Sequence, residues 1–237
     1  VNLLPLETKE TFFVSFVSCC HFFSTFVAMN QEQLALFARV GELFMRYGIK
    51  ALSMDDIAKH LKVSKKTLYK FVTDKPDLVN QVMKIRCDVE CFLINDIHAH
   101  SENAIDEIIQ ISQNVSQQLQ QVHPSLHYDL EKYYPEAWGT FNAHKKTVVL
   151  HFIENNLKRG ISEGIYRENL SPIIIARLFV QKIDVLFDPE VFPPNEISFK
   201  EAHSEMIRYH IRGIANDKGV KYMKSKLKKD EINLFNI

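Results

Sequence analysis

Two helix starts stand eleven residues apart in this chain, at Ser53 and Ser64, and no other feature narrows the possible folds as much. In Ser53-Met-Asp-Asp56 a hydroxyl sits where it can accept a hydrogen bond from the first turn, and two acids follow where the helix dipole favours them. The helix this opens, Met54 to Leu61, is short, with Ile57, Ala58 and Leu61 as its apolar face. Lys62 and Val63 make the turn, and Ser64 caps another short helix predicted over Lys65–Phe71. Two short helices joined by a tight turn, with the small Ala58 at their crossing, form a helix-turn-helix. Upstream, Leu34, Phe37, Ala38, Val40, Leu43 and Phe44 fall at helical spacing, and Gly48 ends that run as a C-terminal glycine should. Downstream, "TDKPD" breaks the chain, and Pro76 enters the first turn of a helix predicted to reach about His100.

The second short helix decides what such a unit can do. Leu68 and Phe71 are its core-facing residues, which leaves Lys65, Lys66, Thr67, Tyr69 and Lys70 on the outer face. In a major groove, lysines meet phosphates or guanine acceptors, a threonine methyl can touch thymine methyls, and a tyrosine hydroxyl can donate to phosphate. A merely solvated basic helix would account for the charge but not for the paired, capped helices. The chain is neutral as a whole, yet positions 39–86 hold eleven Lys/Arg against five Asp/Glu. A basic segment beside an acidic remainder marks a nucleic-acid-binding module joined to something with another task.

The remaining sequence reads as helix throughout. Seven glycines and eight prolines in 237 residues are too few and too scattered for a turn-rich β fold, so the expected class is all-α. Helices are predicted over 101–121, 123–134, 135–160, 172–187 and 199–214. Trp138, Phe141, Lys145, Val148 and Phe152 form one stripe, and "IIIARLFVQKIDVLF" is apolar nearly all round, so both its sides need cover. Tyr128, Tyr134, Trp138, Phe141, His144 and Phe152 concentrate aromatics and imidazoles as a small-molecule pocket requires, although packing alone would use many of the same residues. The basic tail, 217–237, reads as a solvated, frayed end. Residues 11–29 carry no formal charge, but Ser, Thr, Cys and His dilute them and no cationic flank precedes them. Residues 1–28 are therefore expected to be a non-native or disordered apolar extension, with translation starting at Met29; a membrane anchor is the alternative. Cys19, Cys20, Cys87 and Cys91 show neither disulfide nor metal spacing and read as reduced thiols of a cytoplasmic protein.

Residues 37–79, "FARVGELFMRYGIKALSMDDIAKHLKVSKKTLYKFVTDKPDLV", resemble the TetR/AcrR family of bacterial transcriptional regulators. The resemblance implies a three-helix DNA-binding domain (29–76) followed by an all-helical ligand-binding and dimerisation domain (77–216). By position it implies that Thr67, Tyr69 and the neighbouring lysines meet operator DNA, and that Ser53 and Lys75 grip flanking phosphates. It further implies a homodimer, to which Ile174, Leu178, Ala202, Met206, Tyr209 and Gly213 are suited, and a small-molecule effector of unknown identity that releases a repressor. Lys62 departs from the glycine usual in the turn; a left-handed lysine there would cost about 1 kcal/mol. No cofactor, metal site or membrane partner is expected, and no phosphate loop, Gly-x-Ser-x-Gly or His-Glu-x-x-His supports catalysis. A metal-sensing regulator using Cys87 and Cys91, a membrane-tethered one, and a helical enzyme are the competing readings.

Overall fold

The computed structural model describes residues 31–119 and 122–229. The expected extension at 1–28, the start at Met29, and Cys19 and Cys20 lie outside the described residues. Eleven α-helices follow one another, and one isolated bridge, Tyr166 to Ala215, is the sole β-type pairing among the described residues.

Helices α1 (Gln31–Tyr47), α2 (Met54–Leu61) and α3 (Lys65–Leu68) form the head. Leu36, Phe37, Val40 and Phe44 of α1 pack on Ile57, Ala58 and Leu61 of α2 and on Leu68 of α3. Ser53 and Asp56 close a reciprocal capping box, and Ser64 accepts from the Thr67 amide. Lys62 is left-handed (φ 57°), and its N–H and that of Val63 return to the Ala58 carbonyl to close α2. Helix α3 stops at Leu68 rather than Phe71, because the Phe71 amide reaches only three residues back and tightens the last turn.

Helix α4 (Lys75–His100) runs about 39 Å and belongs to both halves. Leu78, Val79, Val82 and Ile85 complete the head, whereas Ile94 sits in the second core. That core is built by α5 (Ala104–Leu119), α8 (Leu150–Ser162), α9 (Pro172–Val185), α10 (Phe199–Ile214) and α11 (Asp217–Lys229). Between them lie α6 (Leu126–Tyr133) and α7 (Pro135–His144). The predicted unbroken helix over 135–160 is divided. A π-helical turn, Lys145–Val149, separates α7 from α8, and the Leu150 amide reaches five residues back to the Lys145 carbonyl.

The tail corrects a second expectation. Residues 217–229 form a helix whose Met223 and Leu227 are buried, not a frayed end. Lys226 fixes it by ion pairs to Glu102 and to buried Asp106. The lysines that made the segment look solvated (218, 221, 224 and 228) lie on the opposite, exposed side. Among the described residues no helix is long and apolar enough to cross a membrane.

Candidate DNA interface and internal cavity

The head presents its polar side chains around α3. Lys66 and Lys70 are exposed, and Tyr69 is 44% exposed beside them. Lys65 lies on the same helix but is engaged by Asp55 at 2.9 Å, which ties the starts of α2 and α3 together. Thr67 is half-buried, and its hydroxyl shares a 2.8 Å hydrogen bond with Ser64. The Ser53 hydroxyl donates to Asp56 while remaining exposed. Lys75 departs from this group. It is half-buried with its Nζ 5.7 Å above the Tyr134 ring, and burial lowers its pKa below the ordinary lysine value. Arg39, which pattern reading did not single out, donates to the Leu61 carbonyl at the end of α2.

A polar seam joins this head to α6. Gly48 is left-handed (φ 80°), and a Cβ there would lie 2.8 Å from the Ser125 hydroxyl, so glycine serves both the turn and the close approach. The Lys50 amide donates to Asp129 at 2.9 Å, and its ammonium donates to the Tyr133 hydroxyl at 2.9 Å. The His123 amide donates to the Met45 carbonyl. Farther along, the Asn80 amide donates to Glu136 at 2.6 Å and accepts from Thr140. Tyr134, expected in a pocket, is buried in the head's apolar core beside this seam.

Behind α6 lies a cavity of about 230 Å³, lined mostly by Ile, Leu, Val, Met and Phe side chains. One wall is a column of four rings. His127 stacks on Phe187 (4.8 Å), Phe187 on Phe199 (4.9 Å) and Phe199 on His203 (5.6 Å). Both imidazoles are pushed toward neutrality by burial, His203 to a pKa of about 4. Lys145, placed by the π turn, is 3% exposed, bonds Asp184 and lies 4.8 Å from the centre of the Phe141 ring. His144 Nε2 is 3.1 Å from Glu90.

Of the six expected pocket residues, Phe141, His144 and Phe152 line this space. Trp138 stands one layer back, edge-on to His127 at 4.9 Å, and Tyr128 is 52% exposed on the outer side of α6. Tyr128 fails because α6 turns Leu126, His127 and Leu130 inward and leaves it on the outer face, and Tyr134 fails because it follows the end of α6 and packs into the head's core. His127, Phe187, Phe199 and His203 were not foreseen; Phe199 and His203 are one helical turn apart, but no local pattern links them to His127 or Phe187. Cys87 also lines the cavity, with its thiol pKa raised by burial, and Cys91 is half-buried. Among the described residues no group of three His, Cys, Asp or Glu is placed to hold a metal.

Comparison with known proteins agrees with the head's geometry. Residues 41–82 match the sequence profile of "Bacterial regulatory proteins, tetR family". An uncharacterized HTH-type transcriptional regulator of Bacillus subtilis (strain 168), YvaF, is 25% identical over 171 residues, which span 70% of this chain and 87% of YvaF. The head of the chain is a tetR-family regulatory domain. Solved structures extend the likeness of fold beyond the head. The reduced form of E. coli NemR superposes with a TM-score of 0.61 at 14% identity, covering 76% of this chain and 96% of NemR. Bacillus subtilis FadR in complex with stearoyl-CoA gives 0.59 at 16% identity, covering 76% and 97%.

The residues expected to serve pairing of two copies lie on α9 and α10. Ile174 is 58% exposed, Leu178 55% and Tyr209 69%; Gly213 is exposed too, and Lys182 of α9 lies 5.1 Å from the Tyr209 ring. Ile173 and Val185 are further exposed apolar residues of α9. Ala202 and Met206 differ from this group. Ala202 is buried, and Met206 is half-buried and reaches the cavity, so both serve the subunit's own interior.

Proposed function

We propose that this regulator is a homodimeric, cytoplasmic repressor that reads operator DNA with the exposed face of α3 and is released when a small molecule occupies the cavity. No cofactor enters this reading. The observation that carries it is the two-sidedness of α6. Leu126, His127 and Leu130 line the cavity. Asp129 and Tyr133 of the same helix hold Lys50 of the head, and Ser125 at its N-terminal end lies close against Gly48. A ligand that shifts α6 therefore shifts the head. By linkage it weakens DNA binding by as much as DNA weakens ligand binding. The exposed apolar residues of α9 and α10 support pairing with a second copy, since a monomer seldom leaves such a patch in water.

Fluorescence anisotropy with the DNA upstream of the chain's own gene tests the reading, with scrambled DNA as control, at two salt concentrations. Preference for the upstream DNA should survive the higher salt. Lys66→Ala and Tyr69→Phe should each cost about 1–3 kcal/mol of affinity without unfolding the chain. Wild-type binding by both variants would remove α3 from the interface.

A further inference from the structure

We infer that the effector is an apolar acid, whose hydrocarbon body fills the cavity and whose anionic group is received by Arg86 at the cavity's edge. This rests on reading the cavity as the effector site. The inference comes from an account of charge. Three charged side chains line the cavity besides its imidazoles: Arg86, Glu90 and Lys145. Lys145 is held by Asp184, and Glu90 is turned to His144. Arg86 has no charged partner of either kind. Its hydrogen bond is to a neutral amide oxygen, that of Gln118 at 3.3 Å, and no carboxylate of the described residues lies within ion-pair distance of it. The cavity thus offers apolar walls and one uncompensated cation.

Position supports the same conclusion. A second, outer hollow of about 570 Å³ lies between α1 and α4. Met45, Arg86, Glu90 and Gln118 line both spaces, and the Arg86–Gln118 bond crosses from α4 to α5. Arg86 therefore stands in the partition between an apolar interior and a half-polar exterior. An anion there keeps contact with water and avoids the cost of full burial. A guanidinium fork meets a carboxylate with two parallel bonds, stronger than its single bond to a neutral amide. Displacing Gln118 opens the partition as the ligand's acid end arrives.

Calorimetric titration of the full chain with decanoate, decanol and decylamine, each below its micelle threshold, tests this. Wild type should bind decanoate roughly ten-fold more tightly than decanol, the gap between charged and neutral hydrogen bonds, and decylamine most weakly. Arg86→Gln should erase the decanoate advantage and leave decanol binding unchanged, which also shows that the variant's cavity is intact. Equal binding of decanoate and decanol by wild type, or an advantage that survives Arg86→Gln, overturns the inference while leaving the cavity as a ligand site. Tightest binding of decylamine would assign recognition to Glu90 instead. Failure of all three probes to bind would remove the cavity reading and the inference with it.

Discussion

The two halves of this protein treat ionisable groups in opposite ways. In the head, up to Lys75, none of the described ionisable side chains is buried. Its core is Leu, Ile, Val, Phe, Met and Ala, and its cations face outward. From residue 106 onward the pattern reverses. Asp106, Glu107, Asp129, His144, Lys145, His203 and His210 are all buried. Glu107 is fully buried between His98 at 2.8 Å and Arg159 at 3.0 Å, with Asn156 donating at 3.1 Å. A DNA-reading head needs free surface charge over an apolar core, which α4, α6 and α7 complete here. The second half holds its charges in networks that depend on distant partners.

The contrast breaks most sharply at Glu107. Glu107→Ala removes the buried carboxylate shared by His98, Arg159 and Asn156; Arg159 keeps Glu163 and Asn156 keeps the Ala104 carbonyl, so the cost should be about 3 kcal/mol, the low end for a broken buried pair. Lys66→Ala in the head should stay within about 0.5 kcal/mol. Urea unfolding followed by circular dichroism measures both. A Glu107→Ala cost near that of Lys66→Ala would mean that the buried network contributes little and that the contrast is only one of appearance.

Acid probes the same difference next. Burial pushes His203 and His210 down to about 4 from an ordinary 6.5. The folded state then binds fewer protons than the unfolded state between those values. Their contribution is complete above about pH 6.5 and is lost as pH falls toward 4, a loss on the order of a few kcal/mol for the pair. Asp88 acts in the other sense, since burial raises its carboxyl to about 6 and folding favours its protonated form. Replacing both histidines with glutamine should therefore flatten the fall in melting temperature between pH 7 and pH 5. An unchanged slope would assign the acid sensitivity to other groups.

This difference also decides what could be read from the sequence. The head's elements follow from local signals: Ser53 with Asp56, Ser64, Pro76 and the glycine after Tyr47 each act within a turn of their own position. The exposed face of α3 was legible for the same reason. The second half's helices were mostly legible from periodicity, but its cavity was not. Lys145 meets Asp184 across 39 residues, and Glu107 meets Arg159 across 52. The π turn at Lys145–Val149 leaves no mark in the pattern, although Lys145 itself falls on the stripe of Trp138, Phe141, Val148 and Phe152. Nor could composition show that the lysine-rich segment after Asp217 hides Met223 and Leu227 on its other side.

The smallest expected effect lies inside the head, at the one described non-glycine residue with a left-handed backbone. Lys62 holds φ 57° where glycine would carry no Cβ penalty. Lys62→Gly relieves about 1 kcal/mol of strain, and the greater freedom of unfolded glycine returns about 0.4–1 kcal/mol of it, so the net gain should be at most about 0.6 kcal/mol. A higher urea midpoint with an unchanged salt slope of DNA binding would mean that the lysine strains the turn without serving the interface. A higher midpoint with a slope reduced by about one would mean that its ammonium meets a phosphate, and that the strain is retained for that contact. A loss of stability would show that even the head's tightest turn is governed by packing around it, and the locally written half would then resemble the other.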